Sequence, residues 1–513
     1  MTEQAIGEHS VAPARTPYVP ERDYTLLIGG EEIACEEHFD ALDPSTGKAW
    51  TQVPQALPEH VEAAVEAARR ALPGWRRTSL AQRQELLWRL ADAVQATPER
   101  WARLLATENG RPLREALVGD VPTCAGILRF FSGVARAHEG SQIPVEREQS
   151  LVYATREPLG VIAALIPWNS PIITVANKVG PALAAGNTVV LKPSEFASPS
   201  VIEFARLAQE ILPPGVLNVV TGFGPSVGAA LVANPDVAKI TFTGGTATAR
   251  AIMAAAGQAL TPALMELGGK GAMIVCDDAD LDAAVADALT GIFMANGEVC
   301  VAASRVLVHE RVRDEFLQRF TAIGERIRVG DALDPQTEFG PMVSAGQRDR
   351  VAACVERACE QGVRAQFGGS ALELPGPLAG GFFYAPTALL DERGGSEASR
   401  EEIFGPVTVI ESFAEERDAV RRANATRYGL AAGVWTRDLA RAHRMARELE
   451  VGIVWVNKWF DLPVGMPMGG VKDSGFGREL SVETLLEYSA PKVVNVDLCT
   501  ERAPLWGAPG AEV

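Results

Sequence analysis

The chain has 513 residues, a length that predicts about three folded units at roughly 150 residues each. Hydrophobic residues make up 47% of it and charged residues 22%, which excludes a fibrous or disordered protein. The 48 lysines and arginines are outnumbered by 65 aspartates and glutamates, and the resulting net charge of −17 argues against a nucleic-acid partner.

The N-terminal region and the cysteines favour a reducing compartment, and we expect a cytoplasmic protein. Residues 1–23 are polar and lack the apolar core of a signal peptide. The longest apolar stretch, Val161–Ile166, is far short of the roughly 20 residues of a membrane helix, so no membrane partner is expected. Seven cysteines, an odd number, do not form a disulfide framework. The one close pair, Cys354 and Cys359, lacks the matching residues of a zinc site, so no metal is expected.

The first 140 residues are predicted to form a short strand region followed by helices. Residues 43–48 combine proline and glycine in an order typical of a turn. Leu86, Leu87, Leu90 and Val94 recur at helical spacing, which indicates an amphipathic helix.

From residue 159 onward, short β-branched runs alternate with segments long enough for helices. Such continuous apolar strands predict a parallel sheet covered on both faces. The first series has strands at 161–166, 188–191, 216–220 and 239–242, with a helix such as 201–212 between them. The second series has strands at 272–275, 305–308, 382–390, 407–413, 430–435 and 452–456, and helices at 281–292 and 312–327. The fold class is therefore α/β, with two units that meet near residues 268–271.

Cys300 is a candidate nucleophile because of its surroundings. A single cysteine is usually an inert, buried hydrophobic residue. This one follows a predicted helix and a glycine-containing break, and it precedes a predicted strand. In such a loop, backbone N–H groups can point at a reacting oxygen, which suits thiolate chemistry.

Glu266 ends a strand-like apolar run and allows two interpretations. It is either a carboxylate satisfied by local N–H donors or a partly buried general base whose pKa is raised by desolvation. Gly268 and Gly269 follow it and would let another part of the backbone approach closely. Composition alone does not decide between the two.

Polar residues also follow the first two strands of the parallel series. Asn169, set between two prolines, is either a rigid amide donor or simply part of a turn. Lys192 and Glu195 end the next strand, where ligands of open α/β sheets bind, and they are either ribose ligands or a solvated charge pair.

Two glycine-containing segments are possible phosphate sites. Residues 221–228 follow a strand, but their glycine spacing differs from the dinucleotide fingerprint. Residues 242–246 follow another strand and precede a predicted helix, so the helix N-terminus could hold a pyrophosphate.

Taken in order, these segments resemble the aldehyde dehydrogenase superfamily, in its non-phosphorylating, NAD(P)-dependent form. The resemblance runs from about residue 26 to residue 496. Its pieces are the segments 167–169, 192–195, 242–244, 266–270, 297–305, 402–406, 428–430 and 474–479.

The resemblance implies a role for each candidate catalytic residue. Cys300 would attack the aldehyde to give a thiohemiacetal, with the Asn169 amide and its own N–H as the oxyanion hole. Hydride transfer to the cofactor would leave a thioester, and Glu266 would activate the water that hydrolyses it. Lys178 and Glu479 match the family's proton-relay positions.

The resemblance also implies an NAD site. A carboxylate at position 195 would repel a 2′-phosphate, so NAD is expected in preference to NADP. The cofactor residues implied are Ile166, Pro167, Trp168, Lys192, Ser194, Glu195, Gly224, Phe242, Thr243, Gly244, Gly245, Leu267, Gly268, Glu402 and Phe404.

The sequence departs from the family pattern at several positions. Glu298 replaces a frequent Gln and would raise the thiol pKa unless its charge is paired. Gly245 and Ala249 replace a common Ser and Gly. Thr174 and Asn177 replace substrate-tunnel residues that are often bulky or aromatic, which leaves the substrate open.

The nearest branch in appearance is that of the betaine-aldehyde and aminoaldehyde dehydrogenases, through segments 139–144 and 466–470. Trp459 could contact a quaternary ammonium and Asp461 could add a charge, although Trp459 is as readily a packing residue. With a single ring, an uncharged aliphatic or aromatic aldehyde is the first expectation. The substrate residues implied are Thr174, Asn177, Met294, Val299, Val301, Trp459 and Asp461. A CoA-acylating enzyme and a catalytically silent relative are weaker alternatives, because Glu266 and Cys300 are both present.

The resemblance divides the chain into domains. Residues 1–140 and 159–268 would form the NAD-binding domain, Rossmann-like and discontinuous, and 269–478 the catalytic domain. Residues 141–158 and 479–500 would form a small β oligomerisation arm, and 501–513 a flexible tail. The arm's strands, 151–155 and 493–496, lie outside both sheets and need a partner for their edges, so a homodimer or a homotetramer is expected.

Overall fold

Two parallel sheets carry most of the chain in the computed structural model, which describes residues 15–137, 139–500 and 506. The first sheet has eight strands in the described residues, and the five inner ones run parallel. Across the sheet they are Glu31–Ile33, Leu26–Ile28, Leu217–Val219, Thr188–Pro193, Val161–Ile166, Val237–Thr243, Ala263–Glu266 and Gly475–Phe476.

The second sheet has seven strands in the described part of the chain, six of them parallel. Across the sheet they are Arg364–Phe367, Thr387–Leu390, Val407–Phe413, Arg305–His309, Ala272–Val275, Ala431–Trp435 and Ile453–Val456. The strand predicted at 382–390 begins only at Thr387, because Phe382 donates its N–H to Pro44 O (2.9 Å) and Tyr384 bridges to Ala371 instead. The two predicted α/β units are confirmed.

Both sheets are covered on both faces, as the apolar strand runs predict. In Val161–Ile166 the even-numbered residues belong to one buried cluster and the odd-numbered residues to another. The second sheet divides in the same way along Ala272–Val275. Since successive side chains of a strand point to opposite faces, each cluster is the core on one side of a sheet.

Helices connect the strands and supply these covering layers. The helices of the first unit are Pro58–Arg76, Leu80–Gln95, Pro98–Asn109, Leu113–Glu115, Val121–Val134, Pro171–Ala184, Pro199–Gln209, Ala229–Ala233 and Thr246–Ala259. Those of the second unit are Leu281–Phe293, Arg313–Gly324, Ala345–Glu360, Glu397–Arg400, Glu416–Asn424 and Leu439–Glu448. A last helix, Glu483–Glu487, leads into the final strand.

One helical stretch in the described residues, Leu113–Ala137, is long and apolar enough to cross a membrane, judged by length and composition alone. This helix was not predicted from the sequence. A π-helical turn at Ala116–Asp120 interrupts it. Its side chains Ile127, Leu128 and Phe131 are fully buried, and it packs against Leu80–Gln95 and Pro171–Ala184. The stretch is a core element of the first unit.

The C-terminal part of the chain returns to the first unit. Gly475–Phe476 pairs with the end of Ala263–Glu266, so these residues lie in the first sheet although the range 269–478 assigned them to the second unit. Ser489–Asp497 then pairs antiparallel with Ser150–Pro158, and Ser141–Ile143 completes a separate three-stranded sheet, the arm. The predicted flexible tail, residues 501–513, lies outside the described residues apart from Trp506.

Smaller elements fill the remaining positions. A hairpin joins His38–Asp43 to Lys48–Pro54, around the predicted turn at 43–48, and Tyr428–Gly429 pairs antiparallel with Val471–Lys472. A second π-helical turn spans Gly224–Gly228, and 3₁₀ turns span Ala135–Ala137, Glu195–Ala197, Met294–Gly297 and Gly376–Leu378.

Candidate active site

A cavity of about 560 Å³, the catalytic cavity, lies where the two units meet. On one side are the residues that follow the inner strands of the first sheet, at their carboxyl ends. On the other are the loops that lead into Arg305–His309 and Val407–Phe413 of the second sheet. The lining includes the predicted residues Pro167, Trp168, Asn169, Thr174, Asn177, Thr243, Gly244, Gly245, Glu266, Leu267, Gly268, Met294, Val299, Cys300, Val301, Glu402, Phe404 and Glu479.

Asn169 sits in the turn that links Val161–Ile166 to the helix Pro171–Ala184. Its Nδ2 donates to Glu298 O (2.9 Å), two residues before Cys300. Asn109 Nδ2 donates to Trp168 O (2.9 Å), and Arg111 donates to Asn169 O (2.6 Å). Asn109 and Arg111 therefore fix the backbone of this turn, and the Asn169 side chain contacts the loop of the predicted nucleophile. The second N–H of its amide can donate to another acceptor.

Cys300 is half-buried in the loop between the 3₁₀ turn Met294–Gly297 and strand Arg305–His309. A Cβ added to Gly269 would lie 2.4 Å from Cys300 O, so the backbone after Glu266 passes directly against the nucleophile loop. Burial, followed by the charges of Glu402 and Glu266, raises the pKa of the thiol to about 12, although backbone N–H groups act in the opposite direction. The resting residue is a thiol rather than a thiolate.

The backbone before Cys300 is unusual. Ala295 (φ 54°) and Asn296 (φ 58°) are both left-handed, a conformation that costs an alanine energy. Ala295 N donates to Glu115 Oε2 (2.9 Å), while the Asn296 amide donates to Gly110 O (2.8 Å) and Pro341 O (2.9 Å). Long-range contacts therefore hold this segment in place.

Glu266 is the last residue of its strand and is 3% exposed. Neither carboxylate oxygen has a hydrogen-bond partner among the described residues. Burial and then the neighbouring charge of Glu479 raise its pKa well above the usual range, against the opposing charges of Lys178 and Arg478. A buried carboxyl group without internal partners, facing a cavity, is available to a water or a ligand.

Lys178 and Glu479 lie behind Glu266 as a closed ion pair. Lys178 Nζ is 2.9 Å from Glu479 Oε1 and donates to Thr241 Oγ1 (3.0 Å). Glu479 lines the catalytic cavity, whereas Lys178 is fully buried and does not. The structure thus brings both predicted relay residues next to the candidate base.

Glu402 and Phe404 close the cavity from the second unit. Gly269 N donates to Glu402 Oε1 (2.9 Å), and burial raises the pKa of Glu402 to about 7. A Cβ on Gly268 would lie 2.0 Å from Glu402 Oε2, so a side chain there would displace the carboxylate. Phe404 has a left-handed backbone (φ 55°), and its ring meets that of Trp168 edge-on with centroids 5.3 Å apart.

The first-sheet strand ends offer features that suit a dinucleotide. The helix Thr246–Ala259 begins after Gly245, which gives no side-chain cap and has open space beside its Cα. Thr243 Oγ1 is buried without a partner among the described residues. Free N–H groups at a helix N-terminus beside open space suit a pyrophosphate.

The remaining cofactor candidates lie outside the lining of the catalytic cavity. Lys192 ends its strand and is 5% exposed, and burial lowers its pKa to about 8 while Glu195 opposes the shift. Ser194 N donates to Ile166 O (2.8 Å), and Ser194 Oγ donates to Glu195 Oε2 (3.3 Å). Gly224 begins the π-helical turn, and Phe242 is buried beneath Gly244.

Two residues expected to contact the substrate, Trp459 and Asp461, do not line the cavity. Trp459 is 6% exposed and does not line the cavity, because its Nε1 donates to Val301 O (3.0 Å) and its ring packs on Trp435 and Trp455. Asp461 instead pairs with Lys458 at the surface. The ring that faces the cavity from this segment is that of Phe460.

Sequence reasoning missed the cavity wall supplied by residues 111–127. Arg111 contacts Asp120 (3.2 Å) and donates to Ser170 Oγ (2.9 Å), and Glu115, Thr123 and Ile127 line the same wall. Charged residues next to the apolar run at 121–134 were a signal, but nothing in their spacing places them over the strand ends of the first sheet. The lining residues that were missed are Arg111, Glu115, Gly119, Asp120, Thr123, Ile127, Ser170, Ile173, Ala295, Gln347, Arg350, Ile403, Phe460, Leu462, Val464, Met468 and Leu480.

Glu298 is 2% exposed, and its Oε1 accepts the N–H of Val343 (3.2 Å). Burial raises its pKa well above the usual range. Burial therefore opposes ionisation of this carboxyl group, which weakens the negative charge expected two residues before the thiol.

Comparison with known proteins gives consistent matches over nearly the whole chain. The aldehyde dehydrogenase family matches residues 32–494. A curated relative, (Z)-2-((N-methylformamido)methylene)-5-hydroxybutyrolactone dehydrogenase of Acinetobacter baylyi, is 42% identical over 478 residues, which are 92% of this chain and 96% of the relative.

Two solved structures are similar and contain a nicotinamide cofactor. The structure of PnpE in complex with nicotinamide adenine dinucleotide is 41% identical with a TM-score of 0.92, covering 94% of this chain and 99% of PnpE. A betaine aldehyde dehydrogenase point mutant from Staphylococcus aureus, in complex with NAD+, is 32% identical with a TM-score of 0.91, covering 94% and 98% of the two chains.

Proposed function

The chain belongs to the aldehyde dehydrogenase family, and from this premise we propose that it oxidises its aldehyde to a carboxylic acid with NAD through a thioester on Cys300. One observation carries the proposal. Cys300, the amide-bearing Asn169 and the unpartnered carboxyl group of Glu266 all line one cavity, although they come from distant parts of the chain. Separating oxidation from hydrolysis by a covalent intermediate is the usual logic of nucleophilic catalysis.

The first step is attack of Cys300 Sγ on the aldehyde carbon. Because burial keeps the thiol protonated, its proton must leave as the C–S bond forms, and Glu266 is the adjacent base that faces the cavity. The oxyanion accepts hydrogen bonds from Asn169 Nδ2 and from the N–H of Cys300. One such donor contributes on the order of 3 kcal/mol to a transition state of this kind.

Bound NAD supplies the hydride acceptor that converts the thiohemiacetal to a thioester. The residues that would hold it are Thr243–Gly245 at the helix N-terminus, Lys192 and Glu195 at the adenosine ribose, and Glu402 at the nicotinamide ribose. Phe404 and Trp168, whose rings contact each other edge-on, line the same cavity and would limit the access of water to bound NAD.

Hydrolysis of the thioester returns the enzyme to its starting state. After Glu266 has released the thiol proton through Glu479, it takes a proton from water and the hydroxide attacks the thioester carbon. The C–S bond then breaks, the carboxylic acid leaves, and Glu266 returns its proton to the Cys300 thiolate. Glu479, paired with Lys178, is the neighbouring group that can pass a proton to and from Glu266.

The expected preference for NAD over NADP rests on Glu195. This half-buried carboxylate lies three residues after Lys192 at the end of its strand, where it would oppose the 2′-phosphate of NADP. Comparable kcat/KM values for the two cofactors would contradict this assignment.

The substrate is proposed to be an uncharged aliphatic or aromatic aldehyde. Trp459, the ring expected to contact a quaternary ammonium, does not line the cavity. A second candidate is an oxygenated aldehyde, because Thr123 and Asn177 line the cavity and Asn177 Oδ1 is buried without a partner among the described residues. The name of the curated relative, a hydroxybutyrolactone dehydrogenase, is consistent with this candidate.

A panel of aldehydes tests the function. The formation of NADH is followed by absorbance with a medium-chain aliphatic aldehyde, a hydroxylated analogue of the same length, a benzaldehyde, an ω-aminoaldehyde and betaine aldehyde, with and without CoA. We expect turnover without CoA and preference for uncharged members. Strong preference for the cationic members would favour the betaine branch, dependence on CoA would favour an acylating enzyme, and rejection of all aldehydes would overturn the proposal.

A cytoplasmic homo-oligomer, a dimer or a tetramer, completes the proposal. The support is the arm, whose outer strand Ser489–Asp497 carries exposed residues such as Val493 and has a free edge within the described residues. An exposed strand edge commonly pairs with another chain. Sedimentation as a monomer at micromolar concentration would contradict it.

A further inference from the structure

A second cavity, of about 380 Å³, lies in the second unit and shares no lining residue with the catalytic cavity. Its lining contains five arginines and a single acidic residue, Glu411. We propose that this space, the arginine cavity, binds a small multivalent oxyanion such as a polyphosphate or a polycarboxylate. The five arginines are Arg305, Arg393, Arg400, Arg421 and Arg422.

Arg305 forms the buried base of the arginine cavity and is 3% exposed. Its guanidinium donates only to main-chain carbonyls, those of Lys270 (3.0 and 3.2 Å), Arg422 (2.8 Å) and Ala423 (2.8 Å). Burial lowers its pKa to about 10, and Glu411 acts in the opposite direction. A buried charge with no carboxylate in contact is costly, and a bound anion would offset that cost.

The other four guanidinium groups have few acidic partners. Arg422 contacts Asp418 (2.8 Å) and Glu411 (3.5 Å), and Arg421 pairs with the same Asp418. Arg393 and Arg400 form no ion pair with any described residue. The five guanidinium groups therefore have two carboxylates, Asp418 and Glu411, as ion-pair partners. The cavity is locally positive, although the net charge of the chain is −17.

Nearby carboxylates are bound to other groups. Asp391 accepts hydrogen bonds from Gly394 N (2.9 Å), Ser396 N (2.9 Å) and Ser399 Oγ (3.0 Å). Glu397 acts on Arg400 only at a distance, because its carboxylate is bound by Arg357 (2.8 Å). Neither carboxylate therefore neutralises the guanidinium groups of the arginine cavity, as a bound anion would.

Glycine keeps the mouth of the cavity open. Gly394 (φ 70°) and Gly395 (φ 80°) turn the loop with left-handed backbone. A Cβ on Gly394 would lie 3.2 Å from Arg422 Nη1 and 3.3 Å from Glu411 Oε2, so a side chain there would crowd both charged groups.

The shape and chemistry of the site define the class of ligand. Guanidinium groups bind phosphate and carboxylate oxygens through paired N–H donors, which a chloride ion cannot match. A volume of about 380 Å³ exceeds the need of a single small anion and is within the range of small-molecule sites. The ligand class is therefore a compact molecule with several anionic oxygens.

Isothermal titration calorimetry of the full-length protein tests the proposal, with pyrophosphate and citrate as separate probes at constant ionic strength. Saturating NAD is present throughout, so that the helix N-terminus at Gly245 cannot account for the signal. We expect one site per chain for at least one probe. The Arg393→Ala/Arg400→Ala variant should weaken binding about tenfold or more, since both side chains are exposed and leave the core intact.

The matched control is Arg326→Ala/Arg447→Ala, which removes the same charge from exposed positions elsewhere. It should bind the probe as the unaltered protein does. Equal weakening in both variants would show a general charge effect and overturn the proposal, as would the absence of binding of both probes. Binding of only one probe would support the site and identify phosphate or carboxylate as its ligand chemistry.

Discussion

The two units contribute to the catalytic cavity in different ways. The first unit places Glu266 at the last position of a regular strand and Asn169 three residues after the end of another. The second unit places Cys300 and Phe404 on loops whose backbone is left-handed at Ala295, Asn296 and Phe404. The positions of the proposed base and oxyanion donor thus follow from sheet geometry, whereas the loop of the proposed nucleophile depends on contacts with residues far away in the chain.

Those contacts come mainly from the first unit. Residues 109–115 hold the Asn169 turn through Asn109 and Arg111, and they hold the Ala295–Asn296 backbone through Glu115 and Gly110 O. One short segment therefore sets the distance between the oxyanion donor and the nucleophile. The comparison shows that contacts from the first unit, in which the strands are regular, fix the irregular loop of the second unit.

The largest expected effect is loss of the nucleophile itself. Cys300→Ala should lower NADH formation by about 10⁴-fold or more, because no covalent intermediate can form. Quenching of tryptophan fluorescence by NAD should be unchanged, which separates chemistry from cofactor binding. Appreciable turnover by this variant would show that another residue is the nucleophile.

Loss of the base should have the next largest effect. Glu266→Gln should lower kcat by about 10²- to 10⁴-fold. Because the raised pKa keeps the carboxyl group protonated to higher pH, the rate of the unaltered enzyme should fall as pH drops through that pKa.

The variant's pH profile is the sharper measurement. Glu266→Gln should lose the acidic limb of the kcat profile and should accumulate a thioester, seen by mass spectrometry after acid quench. A variant that keeps the same limb would place the titrating base elsewhere.

A smaller loss of activity is expected from a change in the segment 109–115, which contacts both the Asn169 turn and the backbone before Cys300. Arg111→Lys keeps the charge beside Asp120 but loses the forked donation to Asn169 O and Ser170 Oγ. We expect kcat/KM to fall about tenfold, with little change in the KM for NAD. Arg129→Lys, at an exposed ion pair, is the control. If both variants behaved alike, Arg111 would have no positioning role.

The smallest expected effects are on the free energy of unfolding, and they distinguish left-handed backbone from regular strand. Ala295→Gly should stabilise the protein by about 0.5–1 kcal/mol, because glycine adopts a left-handed conformation without strain. Ala164→Gly, in a regular strand, should destabilise it by about 1 kcal/mol. Urea unfolding of the two variants measures the contrast, and destabilisation by both would remove the inferred strain at Ala295.

The same contrast explains what the sequence could predict. Strand runs such as 272–275 and 407–413 match the observed Ala272–Val275 and Val407–Phe413, since apolar β-branched runs specify buried parallel strands by themselves. Asn169 could be placed at the carboxyl end of its strand for that reason.

The sequence does not place residues whose positions depend on tertiary contacts. For Trp459 it allows either substrate contact or packing. In the structure the indole N–H donates to Val301 O and the ring packs in the core, while Phe460 lines the cavity. The sequence could not identify Arg111 and Glu115 as cavity residues, because the residues that place them there, such as Ser170 and Ala295, lie far away in the chain. No local pattern shows which helix end will cover a given strand end.

The strand Gly475–Phe476 has a consequence for the order in which the molecule is completed during synthesis. Its pairing with Met265 and Glu266 supplies the last strand of the first sheet, and Glu479 follows three residues later. A nascent chain therefore contains its nucleophile, its base and both sheets' central strands well before the base acquires its neighbouring carboxylate. The first unit cannot finish folding until the second has been made, so activity is confined to chains translated nearly to their end.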